Sequence, residues 1–346
     1  MDQPRLNNIT DFVAHTQMLL DHDAEKLVAI VKGSFELHDG QIEIAPKSRD
    51  RGIRFVDIPW EQDKPESIAF PSDLCLRKPG TDVVVVAKAY APGGKPVPSF
   101  DVRVEVGSLR KSLTIFGRRL WVEKGTALTA ASPIAEIEMR YDYAWGGRDE
   151  PPGTPVEEAR NPIGMGMVRD ASVLTHKAAP NIEDPSNLIR SIRTKPAPAG
   201  IGAISRNWEP RRRFSGTYDD TWQSYKAPLL PDDFDDRFNQ CASPGLIADP
   251  PLVGGETVRL LNLTPGGGAV TFTLPKVALE IAFEHPNRER VAFRPHLDTV
   301  VIDLFEPSAK KPIAVELVWR ACVPAFRRMR EATVTIRELA NVGSAR

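Results

Sequence analysis

Residues 78–121, KPGTDVVVVAKAYAPGGKPVPSFDVRVEVGSLRKSLTIFGRRLW, alternate between strand and turn signals and carry no set of catalytic side chains. Val83 to Ala89 is a short apolar run, the pattern of a strand buried on both faces. Pro92, Pro96 and Pro98 around Gly93-Gly94 cannot continue it, because proline offers no donor to a sheet ladder. Val102, Val104 and Val106 then alternate with Arg103 and Glu105, the period of a half-buried strand. Leu113 and Ile115 repeat that period after a turn at Gly107-Ser108. The stretch therefore predicts an antiparallel meander that presents surface.

Working outward, Leu27–Leu37 reads as a buried strand with Gly33 at a bulge. Ile134–Tyr143 reads as another strand, and a first lobe is expected to end at Trp145-Gly146-Gly147. Residues 148–253 are rich in Pro, Gly and Asn and weakly periodic. Within them, Pro185–Arg193 predicts a short helix with Asp184 as its N-cap. Ile163, Met165, Met167, Val173, Leu174, Ile182, Leu188 and Ile192 supply apolar anchors, so this connection is expected to be ordered. Thr257–Leu263, a TPGGG turn and Ala269–Leu274 predict a hairpin. Strands are expected at Val277–Phe283, Asp298–Phe305 and Ile313–Trp319, and the tail after Arg327 reads as a frayed helix or a final strand. The expected fold is mainly β, with two sandwich-like lobes (1–147 and 254–346) of antiparallel meanders, long Pro/Gly-rich loops and few short helices. The first 26 residues are candidates to cross to the second lobe.

The 346 residues include 45 basic and 46 acidic side chains, a formal charge of −1. Such a balance gives no whole-chain attraction to nucleic acid. The 31 prolines, close to twice the usual ~5%, favour ordered irregular loops over long helices. Cys75, Cys241 and Cys322 are far apart and form no CxxC pair, which fits a reducing compartment better than a disulfide framework. The first residues show no signal peptide, and no window approaches the length of a membrane span. A cytoplasmic protein is expected, with no membrane or nucleic-acid partner.

The search for chemistry returns little. The six histidines lack metal-ligand spacing, although His285 and His296 are placed to meet across a hairpin. TPGGGA and NPIGMG lack the setting of a phosphate loop and read as turns. Cys322 reads as a buried thiol, and the acids preceding Cys241 would raise its pKa. In LLPDDFDDRFNQ (229–240), Pro231, Asp232 and Asp233 resemble a helix start, with Phe234 and Phe238 on one face. No catalytic, metal or cofactor residue is assigned. One stretch, 206–225, stands out as basic and aromatic. It reads either as a loop neutralised by the acids at 219–236 or as a partner contact, since Trp, Tyr and Arg favour interface cores. Its candidate contact residues are Arg206, Trp208, Arg211, Arg212, Arg213, Tyr218 and Trp222, with Tyr225 following.

A series of blocks in fixed order carries a resemblance: VKGSFEL (31–37), residues 78–107, KSLTIFGRRLW (111–121), YAWGG (143–147), NPIGMG (161–166) and APNIEDP (179–185). It continues through ISRNWEPRRRFSGTYDDTWQ (204–223), LLPDDFDDRFNQ (229–240) and GGETVRLLNLTPGG (254–267). Together they resemble a bacterial family catalogued as a domain of unknown function and encoded in type VI secretion clusters. The resemblance implies a non-enzymatic adaptor, or chaperone. Such a protein would bind a secreted toxic effector in the cytoplasm, at or near its PAAR-repeat domain, and help load it onto the spike protein. It transfers no catalytic residue and no contact list. Two other classes stay open: a hydrolase with a carboxylate site between the lobes, using acids such as Glu136 or Asp298, and a carbohydrate-binding β-sandwich.

Overall fold

The computed structural model describes residues 4–122, 126–149, 156–167, 176–287, 289–305, 307–308, 311–325 and 331–339. Its central sheet runs in the order Glu136–Glu138, Thr81–Tyr90, Leu297–Leu304, Ala314–Pro324, Glu25–His38, Val13–Leu20. Ile247–Ala248 adds to the Thr81–Tyr90 edge and Gln41–Ile44 to the Glu25–His38 edge, making eight strands. Thr81–Tyr90 and Leu297–Leu304 are parallel neighbours, and Leu297–Leu304 is buried along its full length. The expectation of a doubly buried strand at Val83–Ala89 is met.

A second sheet orders Ile182–Glu183, Leu109–Phe116, Ser99–Val106, Thr257–Leu261 and Ala269–Thr273. Its buried residues, Val102, Val104, Val106, Leu113, Ile115, Val258 and Leu260, join Val83, Val85, Val300, Leu317 and Trp319 of the central sheet in one core. Each such side chain contributes about 1.5–3 kcal/mol by leaving water. A third sheet orders Arg5–Asn8, Thr333–Glu338, Leu279–Glu284 and Arg290–Phe293.

The architecture is mainly β, with several sheets, one α-helix (Asp220–Tyr225) among the described residues and no closed barrel among them. Several expectations are corrected. The opening stretch is not one meander: Ser99–Val106 and Leu109–Phe116 form a hairpin, but Thr81–Tyr90 belongs to the other sheet. The proline-glycine loop between them, with Gly93 at φ 66, carries the chain across.

The strands of the two expected lobes also pair with one another. Leu297–Leu304 and Ala314–Pro324 lie between Thr81–Tyr90 and Glu25–His38, and Thr257–Leu261 lies against Ser99–Val106. Periodicity marks a strand but not its partner, so boundaries at 147 and 253 do not separate sheets. The crossing of the N-terminus is seen, since Arg5–Asn8 pairs in parallel with the final strand Thr333–Glu338.

Gly33 sits in unbroken register opposite Leu317, so it is not a bulge. A Cβ there would lie 2.8 Å from the Phe35 ring and 3.1 Å from Phe12; the glycine makes room for aromatic packing.

In the connection, Pro185–Arg193 is not helical. The Asp184 carboxylate accepts from the Ser186 amide (2.8 Å) and hydroxyl (2.6 Å), and Glu183 accepts from the Ile189 amide (2.6 Å). These local side-chain bonds replace the helical ladder. Val173 and Leu174 lie outside the described residues, while Ile182 is buried and Ile163, Met165, Met167, Leu188 and Ile192 are half-buried. Met165–Gly166 pairs in parallel with Trp145–Gly146, bringing the YAWGG and NPIGMG blocks together. In 229–240 the helical turn starts later than expected, at Asp236–Asn239 with Asp235 as cap. Phe234 and Phe238 do meet, with ring centroids 5.6 Å apart.

Candidate functional site

The basic-aromatic stretch divides into an inner and an outer half. Trp208 is 1% exposed; its indole N–H donates to Glu66 Oε2 at 3.4 Å, and its ring meets Tyr141 edge-on at 5.7 Å. Arg211 is buried as well, donating to the Phe238 carbonyl at 2.9 Å and the Ile204 carbonyl at 2.7 Å, with its guanidinium over the Phe238 ring. Expectation and structure differ for these two candidates. Both hold the loop to the fold and present no surface to a partner.

The outer half is exposed. Arg212 and Arg213 both lean on Glu209, at 3.7 and 2.7 Å, while Arg206 lies 3.4 Å from Asp57. The predicted neutralisation by the acids at 219–236 is therefore not the arrangement found for these arginines. Asp219 caps the only described α-helix by accepting from the Trp222 amide at 2.8 Å. Such a cap contributes about 1 kcal/mol. Trp222 is half-buried, donating its indole N–H to the Leu229 carbonyl at 2.9 Å. Its ring supports Tyr218 edge-on at 4.7 Å. Tyr218 is 53% and Tyr225 88% exposed. The result is an aromatic ledge of two exposed tyrosines, one just before a capped helix and one at its last residue, with arginines on the same segment. Tyr225 was named in the basic-aromatic stretch but not among its candidate contacts, because nothing in a run of aromatics tells which rings face outward.

Elsewhere, the chemistry-bearing residues are committed to the fold. Asp298 is buried and paired with Arg320, and also accepts from the Thr299 hydroxyl at 2.7 Å. Burial is the largest single influence and raises its pKa, but the charge and hydrogen bond of Arg320, the Lys78 charge and the Thr299 hydroxyl together outweigh it and hold the carboxyl below its ordinary value. Glu136 lies on another strand, 3.4 Å from Lys88. Cys241 sits 3.4 Å from Asp82 Oδ2 and 3.8 Å from Lys78 Nζ, with its thiol pushed up to about 12 chiefly by burial. The expected direction is right, but desolvation is the main cause and the neighbouring acid is Asp82. Cys322 is half-buried. His296 Nε2 donates to the Lys78 carbonyl, 3.1 Å away. Among the described residues, no group of three or more His, Cys, Asp or Glu side chains is placed to hold a metal ion. No helix among them is long and apolar enough to cross a membrane.

A mainly-β chain with its aromatic ledge on an ordered loop segment is thus the class that fold and surface define. Residues 22–320 match the family described as "Uncharacterized protein conserved in bacteria (DUF2169)", and the chain belongs to that family. No curated protein and no solved structure matches it.

Proposed function

We propose that this chain is a non-enzymatic adaptor that binds a type VI secretion effector in the cytoplasm, at or near its PAAR-repeat domain, and helps load it onto the spike. The family membership and the ordered blocks described above support the reading. The observation that carries it is the exposure of Tyr218 and Tyr225 on the same segment as the exposed Arg212 and Arg213, a segment that Trp208 and Arg211 anchor. Large rigid rings and arginines in this setting suit the core of a protein interface, where little side-chain entropy is lost on binding.

Co-purification with the effector encoded next to it tests the proposal. The double variant Tyr218→Ala/Tyr225→Ala is expected to lose capture while keeping the wild-type melting temperature. Unchanged capture removes the ledge from the interface, and unchanged effector levels and secretion on deletion of the whole gene overturn the adaptor reading. The same exposed rings also suit stacking on sugars. Glycan-array binding without effector capture would favour that second reading.

A further inference from the structure

We infer that a second surface, sharing no residue with the aromatic ledge, is a docking groove for an extended peptide segment of a partner protein that carries apolar side chains and a carboxylate. The groove has a volume of 560 Å³ and a floor of Leu252, Leu279, Leu297 and Trp319. Cavities of this size with an apolar floor and few polar groups are typical of built binding sites. Its walls are tied into the sheets. The Leu252 amide donates to Thr81 Oγ1 at 2.9 Å, and the Thr81 hydroxyl donates to the Leu297 carbonyl. Opposite them, the Leu339 amide donates to the Ala278 carbonyl at 2.8 Å, extending the ladder of the third sheet. Next to the lining residue Val253, Gly254 takes φ 83, and a Cβ there would stand 2.5 Å from the Pro275 carbonyl oxygen. A side chain there would push the wall apart.

His296 in the lining bonds the Lys78 carbonyl, but the two cations of the groove have no protein partner among the described residues. Lys276 and Arg294 both line it and are exposed, yet neither has an ion pair or side-chain hydrogen bond among the described residues. Trp319 is 3% exposed and stacks on Phe12 at 5.9 Å, but its indole N–H also lacks a partner among the described residues. Among the described residues, two cations without a protein partner and one unbonded indole N–H around an apolar floor suit an occupant with oxygen acceptors, at least one of them anionic. The shape favours a peptide over a small acid. Val253, 72% exposed, continues the apolar surface past the lip. Lys276 and Arg294 stand on separate loops, one before Leu279–Glu284 and one before Leu297–Leu304. An extended chain reaches the floor and both rims together.

Selection of a phage-displayed random twelve-residue library on the full chain tests this. Selected peptides are expected to place Asp or Glu within a few positions of Leu, Ile, Phe or Trp. The double reversal Lys276→Glu/Arg294→Glu alters two exposed side chains and should leave the melting temperature unchanged. It should weaken a selected peptide on the order of tenfold at low salt, as two rim charges warrant. Selection on the reversed protein should shift towards Lys and Arg. Tyr218→Ala/Tyr225→Ala should leave peptide binding intact, so a failure of the ledge and a failure of the groove read out separately. No enrichment, enrichment indifferent to the reversal, or calorimetric binding of decanoate with no peptide selected would each overturn the inference.

Discussion

Leu317 and Glu316 are neighbours on one strand, yet they face two different worlds. Leu317 and the residues alternating with it, Val315 and Trp319, belong to the main apolar core. Glu316 and Arg320 point to the other face, alongside Lys32, and all are buried. There Lys32 bridges Glu316 (2.7 Å) and Asp73 (2.9 Å), Arg54 also pairs with Glu316, and Arg51 reaches Asp303 at 2.7 Å. Further along, Lys78 is held by Asp82 at 2.7 Å and Thr299 at 2.8 Å. The partners of this charged face come from residues 50–82, an irregular stretch apart from its short strands and the start of Thr81–Tyr90. Arg77 links that stretch to Asp21 and Asp236. An apolar face accepts any complementary surface. A face of buried charges accepts only the loop that brings the matching counter-charges, which is how so much proline-rich chain is held in one place.

The sharpest break of this comparison is Glu316→Ala, which strands Lys32 and Arg54 without a shared counter-charge. It should cost about 3–5 kcal/mol, read by urea denaturation. Leu317→Ala, on the apolar side, leaves a cavity and should cost about 2–5 kcal/mol; the former is expected to be the larger. Should Glu316→Ala prove nearly neutral, the charges would be passengers on a fold held by the other face.

Acid separates the faces further. Burial raises the Glu316 carboxyl, but Lys32 and Arg54 outweigh it and hold the pKa below its ordinary 4.5; Asp298 is likewise held below 3.8 by Arg320. The unfolded chain therefore takes up these protons first, so their stabilisation is complete above about pH 4.5 and is lost as the pH falls. Each unit of lowering is worth about 1.4 kcal/mol. In melting curves across this range, Glu316→Gln should flatten the acid slope. Leu317→Ala should lower the whole profile and leave its slope unchanged.

The smallest effect on stability belongs to the outer ledge. Tyr225→Ala should stay within about 0.5 kcal/mol of wild type while reducing effector capture in a pull-down. Trp208→Ala, in the anchored half, should instead lose about 3–5 kcal/mol. If both variants melt like wild type, the division of this segment into base and ledge is wrong.

Alternation and turn chemistry were enough to place most of the longer strands. The hairpin at Ser99–Val106 and Leu109–Phe116, the one at Thr257–Leu261 and Ala269–Thr273, and the buried runs at 83–89 and 298–305 were all legible, because a period of two and a Gly or Pro at the turn act within a few residues. The candidate site was legible only as a composition. Arg206 to Trp222 stood out as basic and aromatic, but no local rule separates the buried Trp208 and Arg211 from the exposed Tyr218 and Tyr225. Lys276 and Arg294 carried no signal at all, since an isolated cation looks the same whether paired or free.

Beyond the hairpins, tertiary structure alone decided which strands are neighbours, and in the irregular connection which side chains face water. Pairing Thr81–Tyr90 with Leu297–Leu304 joins segments more than two hundred residues apart. Backbone ladders carry no label for their partner. The choice falls to long-range fit, apolar on one face of the sheet and, on the other, ionic beside a smaller apolar cluster of Val28, Ile30, Leu76 and Val318.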